Sequence, residues 1–147
     1  MRRIIKFLRI PARDKLLLVR TLVLLGVVRV ALPLVSYRLL NGLLQRLSRS
    51  ANRKIEPCLV EIERITWAVA SARRYVPGAA CLAQALTAQF LLARRGCQSR
   101  LQIGVAKSAT GRLEAHAWVE YENRVLIGGM RDLGRYKPLF AGEPEKP

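Results

Sequence analysis

The sequence contains few of the residues that build metal sites and disulfide frameworks. Among its 147 residues are one histidine and three cysteines, Cys58, Cys81 and Cys97. The cysteines are odd in number and lack the spacing of metal ligands, so the sequence predicts neither a zinc site nor a disulfide framework. It indicates a reducing compartment instead. We therefore expect a protein that works without a metal or a cofactor.

Acidic and aromatic residues are also scarce. The chain contains ten acidic residues and 26 lysines and arginines, which gives a net charge of +16, and aromatic residues make up 6% of it. The excess is concentrated in residues 1–54, where Asp14 is the single acid among 13 basic residues. A charge of this size predicts an anionic partner, which can be nucleic acid, an anionic membrane surface, or an acidic peptide or protein. No nucleic-acid recognition motif accompanies the charge, so we expect no specific nucleic-acid binding.

Long uncharged runs are missing as well. Arg20, Arg29 and Arg38 interrupt the Leu/Val-rich stretch 16–45, and the uncharged runs between them are eight residues long. A membrane-spanning helix needs roughly 20 apolar residues, and the first residues lack the apolar stretch of a secretory signal. The sequence predicts two helices, 15–30 capped by Asp14 and a second beginning near Pro33 and ending near 50. These helices can cover the core, dock on a partner or lie on a membrane surface. Without a predicted span or secretory signal, we expect a cytoplasmic protein, and the third role would make it peripheral at the inner membrane face.

The remaining composition is that of one globular domain, with 51% apolar and 24% charged residues. Residues 1–54 form a basic helical region and residues 55–147 a catalytic core, and we expect the two to make one compact domain. Hydrophobic periodicity predicts helices over 58–75 and 81–95, the second closed by Gly96. Alternation then predicts strands over 100–105, 115–121 and 124–127. The predicted fold class is α+β, with a small antiparallel sheet.

Cys81 begins the most regular of these helices. Unpaired amides and the dipole at a helix N-terminus favour a thiolate, and they can also stabilise an oxyanion. The unique histidine, His116, follows 35 residues later in a predicted strand. If this strand lies beside the start of the helix, the two side chains form a cysteine nucleophile and its histidine base.

Such a pair needs a third group to orient the imidazole. Asp132 is the first candidate, because in a hairpin turning at 122–123 a residue near 129 faces His116. Glu120 is the rival, since it lies on the same strand face as His116. Cys58 and Cys97 have no comparable setting, and we expect both to be structural.

These residues resemble the leader peptidases of lasso-peptide biosynthesis, which have a transglutaminase-like, papain-like cysteine protease fold. The similarity covers roughly 15–140, including the Leu/Arg-rich helices at the front. The segments that carry it are PGAACLAQA at 77–85, LLARRG at 91–96, RLQIGV at 100–105, EAHAWVEY at 114–121, VLIGG at 125–129 and DLGRYKPL at 132–139.

The resemblance implies that the protein removes the leader from a ribosomally made precursor with a Cys-His-Asp triad. Cys81 and His116 match the family motif residue by residue, and Asp132 is the nearest match for the acid. The resemblance further implies that a leader-recognition protein acts in trans and that an asparagine-synthetase-like cyclase then closes the macrolactam ring. Two other functions stay open: a non-catalytic binding module whose basic helices hold an anionic partner, and an acyltransferase that passes the thioester to an amine.

Overall fold

The computed structural model describes residues 10–49 and 59–139. Within them, four α-helices precede a small antiparallel sheet of four strands, which confirms the α+β class and is compatible with a transglutaminase-like fold. Residues 1–9, 50–58 with Cys58, and 140–147 lie outside the described residues.

The helices are α1 (Ala12–Leu34), α2 (Tyr37–Arg49), α3 (Leu59–Ala72) and α4 (Cys81–Ala93). The expectation that Pro33 begins the second helix is wrong, because Pro33 lies inside α1, which ends at the extended residue Val35. A proline costs one backbone hydrogen bond within a helix. Ala31 and Leu32 pack against the buried core just before it, and this packing extends α1 by a further turn.

The end of α4 confirms the predicted glycine cap. Gly96 has a φ of +77°, and its amide bonds the carbonyl of Ala93, while the amide of Cys97 bonds that of Leu92. This pair of hydrogen bonds is a Schellman motif, which requires a left-handed residue at the position of Gly96. The motif turns the chain from α4 directly into the sheet.

The sheet contains β1 (Arg100–Lys107), β2 (Leu113–Tyr121), β3 (Arg124–Ile127) and β4 (Lys137–Pro138), in the order β3-β2-β1-β4. Neighbouring strands are antiparallel, and Gly104 of β1 lies opposite His116 of β2. Glu122 and Asn123 both have positive φ, as the tight turn of a two-residue hairpin requires. The two-residue strand β4 carries no alternation, so the sequence did not predict it.

Two apolar clusters divide the interior into layers, and α4 contributes to both. One cluster joins α3 and α4 to the inner face of the sheet, with Ala117, Val119 and Ile127 pointing into it. The other joins α1 and α2 to the opposite side of α4. The basic N-terminal helices therefore form an outer layer over α4, and the sheet forms the layer on its other side.

The outer face of the sheet carries a third, smaller cluster built from Ala106, Trp118 and Tyr136. A Cβ atom at Gly104 would lie 3.0 Å from the Trp118 ring and 3.0 Å from Cβ of Tyr136. Glycine at this position therefore lets the chain after β3 cross close beneath the sheet, where Tyr136 covers the strand that carries His116.

Candidate active site

Cys81 is the first residue of α4, and its side chain is half-buried beside the cluster between the helices and the sheet. Ala80 before it is extended, with a ψ of 160°, and no side chain among the described residues caps the helix. The first amides of α4 therefore remain available as donors for an anion. A thiolate at Cys81 and an oxyanion formed beside it would both benefit from this position.

The loop before Cys81 is held by two long side chains. Nε2 of Gln84 donates a hydrogen bond of 2.7 Å to the carbonyl of Ala79. The guanidinium of Arg29, from α1, lies against Gly78, where an added Cβ would be 2.6 Å from it. Gly78 has a φ of +68°. A basic N-terminal helix thus reaches the segment that positions Cys81, a contact that sequence reasoning missed because it joins residues distant in the chain.

His116 lies on the central strand β2, and one of its ring nitrogens has a defined partner. Nε2 is 2.7 Å from the carbonyl oxygen of Gly128. A carbonyl oxygen can only accept, so Nε2 carries the proton, and Nδ1 of a neutral ring is then the basic nitrogen. The ring stacks near Trp118, at 6.2 Å between centroids and 18°, and lies 5.5 Å from the ring of Tyr136. These contacts fix both the plane of the imidazole and its tautomer.

Gly128 can supply this carbonyl because it has no side chain. Its φ is +81°, and a Cβ there would lie 2.6 Å from the carbonyl oxygen of Ala117 and 2.9 Å from Cβ of Trp118. The backbone turns sharply at this residue, immediately after β3 ends at Ile127. Sequence reasoning placed the residue opposite His116 near 129, and the glycine pair in VLIGG was the signal for a close backbone approach.

The two acids considered for the third position make other contacts in the structure. The carboxylate of Asp132 is exposed and forms an ion pair of 2.9 Å with Nε of Arg135, whose Nη2 is 2.6 Å from Glu114. Glu120 accepts a hydrogen bond of 2.7 Å from Nε1 of Trp118. Within the described part of the chain, neither carboxylate bonds His116, so a catalytic role for Asp132 stays a prediction.

Cys81 and His116 lie at the same end of the helix and sheet layers. The chain leaves the far end of α4 to enter β1, and β2 returns antiparallel to β1, so α4 and β2 both begin at one end. Side chains alternate along a strand: Ala117 and Val119 point towards α4, whereas His116 shares the outer face with Trp118. No hydrogen bond joins the thiol and the imidazole in the described structure.

The other described cysteine has a different environment. Cys97 is fully buried in the cluster beneath the end of α4. Burial, together with the nearby charge of Glu122, raises the pKa of its thiol to about 11. A thiol with such a pKa is a poor nucleophile at neutral pH. Cys81 is therefore the better candidate nucleophile of the two.

A cysteine at the first residue of a helix that packs on a small antiparallel sheet is typical of one class of protein, the enzymes that work through a thiol nucleophile. The family comparison agrees with this class, because the model of the transglutaminase-like superfamily matches residues 22–141. The chain belongs to this superfamily, whose members generally have cysteine-protease or acyltransferase activity. Searches of curated proteins and of solved structures gave no match.

Proposed function

We propose that this protein is a cysteine peptidase that removes the leader from a ribosomally made lasso-peptide precursor. A separate leader-recognition protein would present the precursor, and an asparagine-synthetase-like cyclase would use the freed core amine. The observation that carries the proposal is the position of Cys81 at the uncapped start of α4 in a transglutaminase-like domain. The oriented ring of His116 at the same end of the layers supports it.

The proposed reaction has two halves. Nδ1 of His116 takes the proton of the Cys81 thiol. The resulting thiolate attacks the carbonyl at the leader–core junction, and the first amides of α4 stabilise the oxyanion. His116 gives its proton to the leaving amine of the core, and a thioester with the leader remains. His116 then takes a proton from water, which attacks the thioester and releases the leader acid, and it returns this proton to the leaving sulfur so that the thiol is restored.

In this proposal Nδ1 is the nitrogen that exchanges protons with sulfur, because Nε2 donates its hydrogen bond to Gly128. The backbone carbonyl would perform the orienting task usually assigned to a carboxylate, and Asp132 remains the alternative. The imidazole lies on the outer face of the sheet, whereas Cys81 packs on the face that carries α4, and no hydrogen bond joins the two in the described structure. The proposal therefore includes a rearrangement that brings the ring to the sulfur when precursor and recognition protein bind.

The test is cleavage of the precursor in the presence of the recognition protein, followed by mass spectrometry. We expect Cys81→Ala to abolish cleavage and His116→Ala to lower kcat/KM by about 10²–10⁴-fold, the usual contribution of a general acid–base group. Cys97→Ala is the matched control, since it removes a buried thiol away from the start of α4. Its activity per folded molecule should equal that of the wild-type protein.

The outcomes separate this proposal from its alternatives. Cleavage that survives Cys81→Ala contradicts the peptidase mechanism and favours a binding module. A leader product that carries an added amine, rather than water, identifies an acyltransferase. Trapping of a leader thioester on Cys81, together with a leader product that carries an added water, supports hydrolysis.

A further inference from the structure

Helix α1 has a second apolar face that nothing in the described structure covers. Six large aliphatic side chains on it are between 47% and 78% exposed: Leu16, Val19, Val23, Val27, Val30 and Leu34. Their spacing of three and four residues places them on one side of the helix. The buried residues Leu18, Leu25 and Val28 lie on the other side, against the core. We call the six exposed residues the α1 stripe.

Helix α2 repeats this arrangement. Leu39, Leu43 and Leu47 follow one another at intervals of four residues and are 49–68% exposed, whereas Leu40 and Leu44 are buried. Both helices of the outer layer thus present aliphatic side chains to solvent along their length. Exposed apolar surface arranged in this way marks an interaction site.

A cleft lined by arginines opens at the N-terminal end of the α1 stripe. The cavity has a volume of about 280 Å³ and lies between α1, α3 and the end of α4, and Leu16 belongs both to it and to the stripe. The arginines that line it are Arg13, Arg20, Arg64 and Arg95.

Two of these arginines already have acidic partners. Arg64 binds Asp14 with a hydrogen bond of 2.6 Å from Nε, and Nη1 of Arg95 is 2.8 Å from Glu61. Arg13 and Arg20 have no such partner among the residues that the structure describes. The cleft therefore has an excess of two positive charges, which suits a phosphate group.

We propose that the α1 stripe, the exposed leucines of α2 and this cleft form a surface that binds an anionic phospholipid bilayer. The cleft would take a headgroup phosphate, and the adjoining aliphatic side chains would enter the interface between headgroups and acyl chains. The charge of residues 1–54 favours an anionic surface over a second copy of this chain, because two copies would place arginines against arginines.

The mode of binding is peripheral. By length and composition α1 could cross a membrane, which is weak evidence by itself. Its other face, however, holds Leu18, Leu25 and Val28 against the core. A helix that keeps these contacts lies along the surface, with only the stripe facing lipid.

The experiment is co-sedimentation of the full chain with two kinds of vesicle. The neutral vesicles contain phosphatidylcholine alone, and the anionic ones contain about one third phosphatidylglycerol in phosphatidylcholine. We expect binding to the anionic vesicles only. Val23→Asp with Val30→Asp should lower the partition coefficient at least about tenfold, because both side chains lie on the apolar face that enters the interface. Arg13→Ser with Arg20→Ser should lower the partition coefficient about 25-fold, since each basic residue near an anionic surface contributes about fivefold.

Matched controls separate these effects from net charge and from misfolding. Arg124→Ser with Arg131→Ser removes the same charge from exposed positions of the sheet region, and Leu113→Asp alters an equally exposed leucine there. Both should bind nearly as well as the wild-type protein. Circular dichroism should show unchanged folding for every variant, because each substituted side chain is solvent-exposed.

Several results would overturn the proposal: absence of binding to anionic vesicles, equal binding to neutral ones, or equal losses in the control variants. A stripe variant that keeps lipid binding but loses the recognition protein would instead identify a protein-docking face. The proposed peptidase activity is tested separately, because stripe variants should cleave the precursor normally in a membrane-free assay, while Cys81→Ala should still bind vesicles.

Discussion

Replacement of Gly128 by alanine tests the geometry that orients His116. Gly128 has a φ of +81°, and an added Cβ would lie 2.6 Å from the carbonyl oxygen of Ala117. Gly111 provides a matched control, since it has a φ of +78° and no atom within 4 Å of an added Cβ. The two substitutions impose the same backbone conformation on alanine, but only one of them creates a steric overlap.

The expected magnitudes follow from this difference. A left-handed conformation costs a residue with a Cβ about 1–2 kcal/mol, which is the whole cost expected for Gly111→Ala. At Gly128 the overlap is with backbone and with Cβ of Trp118, which cannot rotate away. Relief of such overpacking typically costs about 1–3 kcal/mol more. We therefore expect Gly128→Ala to lower the free energy of unfolding by about 2–5 kcal/mol.

Urea denaturation followed by tryptophan fluorescence measures both variants. A double-mutant cycle then isolates the hydrogen bond: His116→Phe should cost about 0.5–1.5 kcal/mol more in the wild-type background than in the Gly128→Ala background, where the carbonyl has already been displaced. If Gly128→Ala costs no more than Gly111→Ala, or if the cycle gives no interaction energy, the described contact between Gly128 and His116 is wrong.

Two further predictions concern other parts of the fold. In a Cys58→Ser background at about pH 8, iodoacetamide should label Cys81 and spare Cys97, as read by peptide mass. Because the pKa of Cys97 rises from 9.0 to about 11 on folding, its contribution to stability should be present below about pH 9 and be lost as the pH rises towards 11. A free energy of unfolding that stays constant over this range would contradict the burial of its thiol. Asp14→Asn should destabilise the protein by about 1–2 kcal/mol, because it weakens a partly buried bond to Arg64 that joins α1 to α3. Glu61→Gln should cost about 0–1 kcal/mol, because its partner Arg95 is more exposed. Urea titrations that give the reverse order would refute this ranking.

Local patterns in the sequence predicted much of the fold. The four helices, the three longer strands and the cap at Gly96 depend on periodicity, alternation and glycine chemistry within short windows of chain. The misplaced helix boundary at Pro33 shows where such patterns fail, because packing of Ala31 and Leu32 on the core outweighed the local preference of proline. Strand β4, two residues long, exists only through pairing with β1.

The sequence by itself determined that one cysteine would begin a helix and that one histidine would lie in a strand, because both follow from neighbours a few residues away. Only the tertiary structure decided that the imidazole bonds a backbone carbonyl at Gly128, that Arg29 reaches the loop before Cys81, and that α1 keeps one apolar face in the core and leaves the other exposed. These features join residues far apart in the chain, and which distant groups meet is set by the packing of whole layers rather than by any local preference.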